Sequence, residues 1–116
     1  MKLYAFDVDH TLIVSDGPVG LDAIWQLREE GHITGLCGNW AMVTDQPGWH
    51  KLFSFLGPLS MTKLEFLKHI AQWVPADEYV MVGNEGNIPG QSQDSEAARL
   101  AGWRFIREVN FAAGQR

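Results

Sequence analysis

Short apolar runs alternate along this chain with segments in which apolar residues recur at helical spacing. Largely apolar runs of strand length occupy residues 3–6, 33–37, 79–82 and 103–106. Such runs are typical of strands that are buried on both faces of a sheet. Because these strands are separated by helical segments, the pattern predicts right-handed crossovers and a parallel sheet that is covered on both faces.

Start and stop signals bound three of the helical segments. Thr62-Lys63-Leu64-Glu65 has the pattern of a capping box and predicts a helix that continues to Val74. A helix that contains Leu21, Ile24 and Leu27 is expected to end at Gly31. A third helix is predicted over residues 95–101 and is followed by Gly102.

The remaining segments carry weaker patterns. We predict turns over residues 13–20, a loop over 41–48, an amphipathic helix over 49–56, a short strand over 59–61, a loop over 83–93 and a partly helical or frayed tail over 107–116. Trp25, Trp73 and Trp103 suit core positions. The fold class is therefore α/β: a single domain over residues 1–116 with a three-layer, Rossmann-like parallel sheet of about five strands.

Composition narrows the function classes without choosing one. The 116 residues are 46% hydrophobic and 20% charged, as in an ordinary globular domain with one core. The net charge of −5 comes without any run of Lys or Arg, which argues against nucleic-acid binding through a basic patch. No apolar run has the length of a membrane-spanning helix. The single cysteine, Cys37, cannot form an internal disulfide, which fits a cytoplasmic location.

Polar residues follow several of the predicted strands. Ligands of open parallel sheets bind outside the carboxyl ends of the strands. That rule selects Asp7 and Asp9 after the first strand, Gly38 and Asn39 after the second, and residues 83–94 after the strand at 79–82. It also selects Lys63, because the helix that Lys63 begins starts at the same edge of the sheet. Three carboxylates and one lysine are thus expected to converge.

Asp7 and Asp9 form the sharpest local signal. Two acids one residue apart, directly after a buried strand, need a counter-ion if both point inward. Mg²⁺ prefers oxygen ligands and keeps waters that a phosphate can replace. An Asp carboxylate can attack phosphorus, and a second acid can protonate the leaving oxygen.

The segment Phe6-Asp7-Val8-Asp9-His10-Thr11-Leu12 resembles DxDxT, the first signature of the haloacid-dehalogenase-like hydrolases. The resemblance continues in order: Lys63 lies twenty residues before Gly83, the segment 79–84 is similar to the fourth signature, and the segment 94–103 is similar to its continuation. The likeness spans nearly the whole chain, and its order of strands and helices agrees with the hydrophobic pattern.

The resemblance implies a Rossmann-like core without a cap domain and Mg²⁺-dependent phosphoryl transfer through an aspartyl-phosphate on Asp7. It implies that Asp9 is the general acid and base, with its backbone carbonyl on the metal, and that Lys63 neutralises the phosphoryl oxygens. Its remaining implications are that Thr11 orients the loop and that Asp94, with Asn84 beside it, completes the metal site. The substrate would be a phosphorylated compound of unknown class.

Two positions depart from the family pattern. At the end of the second strand the family usually has Ser or Thr, where this chain has Gly38 followed by Asn39; the N–H of Gly38 or the amide of Asn39 would have to replace the hydroxyl. The family usually has Asp where this chain has Asn84, which lowers the charge of the metal site. Because the loop over residues 85–93 is longer than usual, Glu85 is an alternative ligand to Asp94. We prefer Asp94, since the residues after it keep the family's register.

Other interpretations of the same residues remain. Asp7 and Asp9 could be helix-capping and turn residues, Lys63 a solvated lysine, and Asp94 a helix cap. The domain could instead be a catalytically weak or inactive relative that binds Mg²⁺ or a phosphorylated partner. A receiver-like signalling domain would need a phosphoacceptor Asp after the third strand, and none is evident near residues 59–61. A small uncapped domain with several aromatic residues could also form a homo-oligomer.

Overall fold

A five-stranded parallel sheet forms the centre of the protein in a computed structural model, which describes residues 1–85 and 94–116. The strand order is β3-β2-β1-β4-β5, and every pair of neighbours is parallel. The strands are β1 (Lys2–Phe6), β2 (Ile33–Cys37), β3 (Leu56–Gly57), β4 (Glu78–Gly83) and β5 (Arg104–Arg107).

Helices cover both faces of this sheet. They are α1 (Leu21–Glu29), α2 (Ala41–Thr44), α3 (Lys63–Trp73), α4 (Asp94–Ala101) and α5 (Glu108–Ala112). Side chains of β1 alternate between the two faces, as the pleat of a strand requires. Tyr4 and Phe6 belong to one core cluster with residues of α1 and α5, whereas Leu3 and Ala5 belong to a second cluster with residues of α3 and α4. The predicted three-layer α/β fold is therefore confirmed.

The central position of β1 determines where its last residues lie. Phe6 is in register with Leu36 of β2 on one side and Val82 of β4 on the other. The next residue, Asp7, continues the ladder through its N–H, which donates to the carbonyl of Val82 at 2.9 Å. The acid after β1 is consequently flanked by the ends of two neighbouring strands.

The prediction for residues 41–61 is wrong in three respects. Residues 41–44 are helical, the predicted helix over 49–56 is reduced to the 3-10 turn Trp49–Lys51, and the third strand lies at Leu56–Gly57 and not at 59–61. The reason is the free edge of β2: the N–H groups of Leu36 and Gly38 donate to Phe55 and Gly57, both at 2.9 Å. Pairing satisfies this edge, so the chain extends where its apolar spacing indicated a helix.

The other predicted elements lie close to their observed positions. The helix expected over residues 95–101 begins one residue earlier, at Asp94, and the tail is partly helical through α5. Trp103 is buried, as expected, but Trp25 is 46% exposed and Trp73 is 67% exposed, so their assignment to the core is wrong. Trp25 follows Ile24, which faces the sheet, and one helical step of about 100° turns the next side chain away. The predicted loop over 83–93 lies outside the described residues from position 86 onward.

None of the helices over residues 1–85 and 94–116 combines the length and the apolar character that crossing a membrane requires.

Candidate active site

Lys63 joins two acids that are far apart in the sequence. Its Nζ lies 2.9 Å from Oδ1 of Asp7 and 2.8 Å from Oδ1 of Asp94. Asp7 follows β1, and the other two residues are the first residues of α3 and α4, so all three lie at the carboxyl edge of the sheet. The capping box formed by Thr62 and Glu65 fixes the start of α3 and thereby the origin of the Lys63 side chain.

This carboxylate–lysine cluster (Asp7, Lys63 and Asp94) is strongly electrostatic because it is buried. Asp7 is 5% exposed and Asp94 is 1% exposed. Burial alone lowers the pKa of Lys63, but the two adjacent carboxylates outweigh burial and raise that pKa above its usual value. Burial, followed by repulsion from Asp7, raises the pKa of Asp94 to about 7 despite the opposing Lys63 ammonium. When both carboxylates are ionised, the single ammonium of Lys63 leaves the cluster with a net negative charge, which favours binding of a proton or a further cation.

One carboxylate oxygen in the cluster lacks a hydrogen-bond donor among the residues that the structure describes. Oδ2 of Asp94 is buried and unpaired within residues 1–85 and 94–116. A buried acceptor without a partner costs free energy unless a proton or a cation satisfies it. The cluster therefore has an oxygen suited to a further ligand.

Glycines at the ends of the flanking strands make room for the two acids. A Cβ atom on Gly38, after β2, would lie 2.4 Å from Oδ1 of Asp7. A Cβ atom on Gly83, the last residue of β4, would lie 2.4 Å from Oδ2 of Asp94. Both acids thus occupy space that any other residue type at these strand ends would fill.

The N–H of Gly38, considered above as a donor to substrate, already donates to the carbonyl of Gly57 at 2.9 Å. Gly38 therefore contributes space beside Asp7, while its donor belongs to the sheet. The adjacent Cys37 is fully buried, and burial raises the pKa of its thiol to about 12. This thiol is in the wrong protonation state and the wrong environment to be a nucleophile.

Asp9 is exposed and receives hydrogen bonds from two loops. The Ser15 hydroxyl donates to its Oδ1 at 2.8 Å, and Nδ2 of Asn39 lies 3.5 Å from both carboxylate oxygens. The backbone carbonyl of Asp9 accepts from Nδ2 of Asn84 at 2.7 Å. Buried Thr11 donates to Oδ2 of Asp7 at 3.5 Å. Each of the eight sequence-predicted site residues therefore contacts another of them or adjoins one.

A divalent cation would find few side-chain ligands here. Within the described ranges, 1–85 and 94–116, no three or more His, Cys, Asp or Glu side chains surround one metal-sized position. Within the described residues, the oxygens whose chemistry suits Mg²⁺ are those of Asp7, the carbonyl oxygen of Asp9 and Oδ2 of Asp94, which has no donor there. Mg²⁺ usually binds one or two carboxylates and keeps several waters, so carboxylate and carbonyl oxygens are the kind of donors that it takes. Asn84, predicted beside this site, donates its Nδ2 to that same carbonyl of Asp9.

Two site features were not identified from the sequence. Ser15 lay in the segment predicted as turns, where Ser is common for local reasons, and nothing in its spacing distinguishes it. Gly83 was predicted to begin a loop, whereas it is the last residue of β4, and its closeness to Asp94 depends on how α4 approaches that strand. A small residue at the end of a strand next to β1 was the available signal for the second feature.

Comparisons with protein-family models, with curated proteins and with solved structures find no match to this chain. Its fold and site define its class: a three-layer α/β protein with a five-stranded parallel sheet and a carboxylate–lysine cluster at the carboxyl edge of that sheet.

Proposed function

We propose that this protein is a Mg²⁺-dependent phosphomonoester hydrolase that uses Asp7 as its nucleophile. The observation that carries the proposal is the placement of the Lys63 ammonium between the carboxylates of Asp7 and Asp94. The ordered resemblance to the haloacid-dehalogenase-like hydrolases supports the same assignment. Phosphoryl transfer depends mainly on positioning and charge neutralisation, and a lysine shared by two buried acids provides both.

In the first half of the reaction, a carboxylate oxygen of Asp7 attacks phosphorus and the bond from phosphorus to the leaving oxygen breaks. The carboxyl group of Asp9 gives its proton to that oxygen, and the alcohol departs. In the second half, Asp9 takes a proton from water, the water oxygen attacks phosphorus, and the bond to Asp7 breaks. The products are the alcohol and phosphate, and both acids return to their starting states.

The residues around Asp7 suit the role of a nucleophile. Lys63 and Thr11 contact its two oxygens and restrict the rotation of the carboxylate. The ammonium of Lys63 would also neutralise charge on the transferred group. Asp7, Asp94 and the carbonyl of Asp9 would hold Mg²⁺, which supplies charge neutralisation to the phosphate oxygens when bound.

Hydrolysis of p-nitrophenyl phosphate with and without Mg²⁺ tests the proposal. Asp7→Asn is expected to lower turnover by roughly 10³-fold or more, since the amide is a poor nucleophile. Glu29→Gln, which makes the same change in charge at an exposed site on α1, is the matched control and should retain full activity. Mg²⁺-dependent turnover that survives Asp7→Asn, or no turnover on a broad panel of phosphoesters, would refute the hydrolase.

A second candidate is a catalytically weak or inactive domain that binds Mg²⁺ or a phosphorylated partner. Two observations favour it: the N–H of Gly38 is committed to β3, and the neutral Asn84 donates to the carbonyl of Asp9. Losing a donor aimed at the phosphoryl oxygens costs about a hundredfold or more in rate. Mg²⁺ binding measured by calorimetry, together with a stable beryllium-fluoride adduct on Asp7 but no turnover, would identify this candidate.

A further inference from the structure

The hydrogen bond from Ser15 to Asp9 joins the second acid to the loop that follows it. The Ser15 Oγ donates to Oδ1 of Asp9 at 2.8 Å. The backbone of Ser15 contacts the same turn, because its carbonyl accepts from the N–H of His10 at 2.7 Å. His10 has a φ of 59°, in the left-handed region, so the chain turns sharply directly after Asp9.

The loop that carries Ser15 is closed by its own backbone. The N–H of Ile13 donates to Val19 at 2.8 Å, and the N–H of Val19 donates to Thr11 at 3.0 Å. Gly17 lies against Thr11 so closely that a Cβ atom there would be 2.1 Å from the Thr11 carbonyl carbon. The position of Ser15 is therefore fixed by local bonds and needs no contact from a substrate.

Asp9 needs such support because packing does not hold it. Its side chain is exposed, unlike that of Asp7, and the two contacts from Asn39 are at the 3.5 Å limit of a hydrogen bond. An exposed carboxyl group that rotates freely spends little time aligned with a leaving oxygen, and alignment is a large part of acid catalysis.

We propose that Ser15 is a positioning residue that fixes the carboxyl group of Asp9 for proton transfer; this rests on the proposed function. The Ser15 hydroxyl engages Oδ1, so the transferable proton is carried on Oδ2. In the first step that proton moves from Oδ2 to the leaving oxygen as the bond to phosphorus breaks. Ser15 keeps its own proton throughout.

Two substrates that differ in their need for a proton test this role. Nitrophenolate is a stable anion and leaves unprotonated, whereas the alkoxide of glycerol 2-phosphate requires a proton from Asp9. Ser15→Ala is expected to lower kcat/KM for glycerol 2-phosphate roughly tenfold and for p-nitrophenyl phosphate less than twofold. Ser15→Thr, which keeps the hydroxyl, should restore the rate with glycerol 2-phosphate. Ser60→Ala, at an exposed position beyond β3, is the matched control and should change neither rate.

The alternative that Ser15 only stabilises the loop gives a different pattern. Gly17→Ala, which forces the loop away from Thr11, serves as the reference for general loop damage and should lower both rates together. If Ser15→Ala also lowers both rates equally, or lowers neither, the positioning role is refuted while Asp7-dependent turnover stands. In an Asp9→Asn background Ser15→Ala should have no further effect, and an additive loss would equally refute it. A wild-type protein without Asp7-dependent turnover would overturn both proposals.

Discussion

Gly38 and Asp7 occupy neighbouring strand ends at a separation that excludes any side chain on the former. The Cβ position of Gly38 is 2.4 Å from Oδ1 of Asp7, the oxygen that also contacts Lys63. Because Gly38 has no side chain, the Asp7 carboxylate can occupy this space while it contacts Lys63. Absence of a side chain at this position determines the geometry of the cluster as much as the charges do.

Gly38→Ala is expected to displace the Asp7 carboxylate and lower both stability and activity. Overpacking of this kind typically costs about 1 to 3 kcal/mol, and the loss of the Asp7–Lys63 contact should reduce turnover of p-nitrophenyl phosphate at least about tenfold. Urea unfolding and initial rates measure the two effects. Gly20→Ala is the control, because its new Cβ would meet only the movable Asp22 side chain. Full activity in Gly38→Ala would mean that the space beside Asp7 is not needed for its position.

Lys63→Met is expected to lower the free energy of unfolding by about 3 kcal/mol at pH 8, because it leaves two buried carboxylates without their counter-ion. The loss should shrink toward pH 5: without Lys63 the pKa of Asp94 is no longer held down by the ammonium, so the protonated, uncharged acid becomes the favoured form. Urea unfolding at both pH values measures this difference. Lys68→Met, on the exposed face of α3, is the control. Equal losses at pH 5 and pH 8 would argue against repulsion between the acids.

Sequence patterns predicted the sheet better than the segment between β2 and α3. β1 and β4 were recognisable because strands buried on both faces are continuously apolar, and α3 because its capping box is local. β3 was misplaced because its two residues pair with the edge of β2, a partner about twenty residues earlier in the chain. No local period encodes that pairing.

The candidate site likewise contains residues that the sequence predicted and a contact that it did not predict. Asp7, Lys63 and Asp94 could be selected because each stands at an element boundary that the sequence marks, and the rule for carboxyl edges brings such boundaries together. The hydrogen bond from Ser15 to Asp9 could not be predicted, because it depends on the left-handed φ of His10 and the close approach of Gly17 to Thr11. The φ of His10 and the approach of Gly17 to Thr11 both result from closure of the loop, and neither produces a recognisable spacing of residue types in the sequence.

The raised pKa of Asp94 makes the stability of the metal-free protein depend on pH. The folded protein binds a proton on this acid more tightly than the unfolded chain, whose Asp titrates near its usual value of about 3.9. The free energy of unfolding should therefore fall as pH rises from about 4 to about 7, where the folded-state carboxyl ionises. Asp94→Asn should remove most of this slope and make the metal-free protein more stable than wild type at pH 8. A slope that persists in Asp94→Asn would assign it to other groups.

Binding of Mg²⁺ should stabilise the folded protein most at the pH at which Asp94 has lost its proton. A cation replaces the proton on Asp94, so the rise in melting temperature on adding Mg²⁺ should be larger at pH 8 than at pH 5.5. Asp94→Asn should abolish most of that rise, and Asp77→Asn, an exposed acid paired with the N-terminal ammonium, is the control that should retain it. Thermal melts with Mg²⁺ and with an equal ionic strength of NaCl separate binding from screening. An equal rise in both salts would count against a specific site.

Cys37 provides a chemical probe of whether the carboxyl edge stays closed. The thiol lies at the end of β2 next to the carboxylate–lysine cluster, is fully buried, and has its pKa raised to about 12 by burial. Since only the thiolate reacts with iodoacetamide, native protein at pH 8 should remain unmodified over hours and react within minutes in urea. Mass spectrometry of the intact chain measures the adduct. Gly38→Ala, which crowds the adjacent position, should accelerate labelling, whereas Gly20→Ala should not. Rapid labelling of the native wild-type protein would mean that the end of β2 opens and that Cys37 is not held in its buried position beside the cluster.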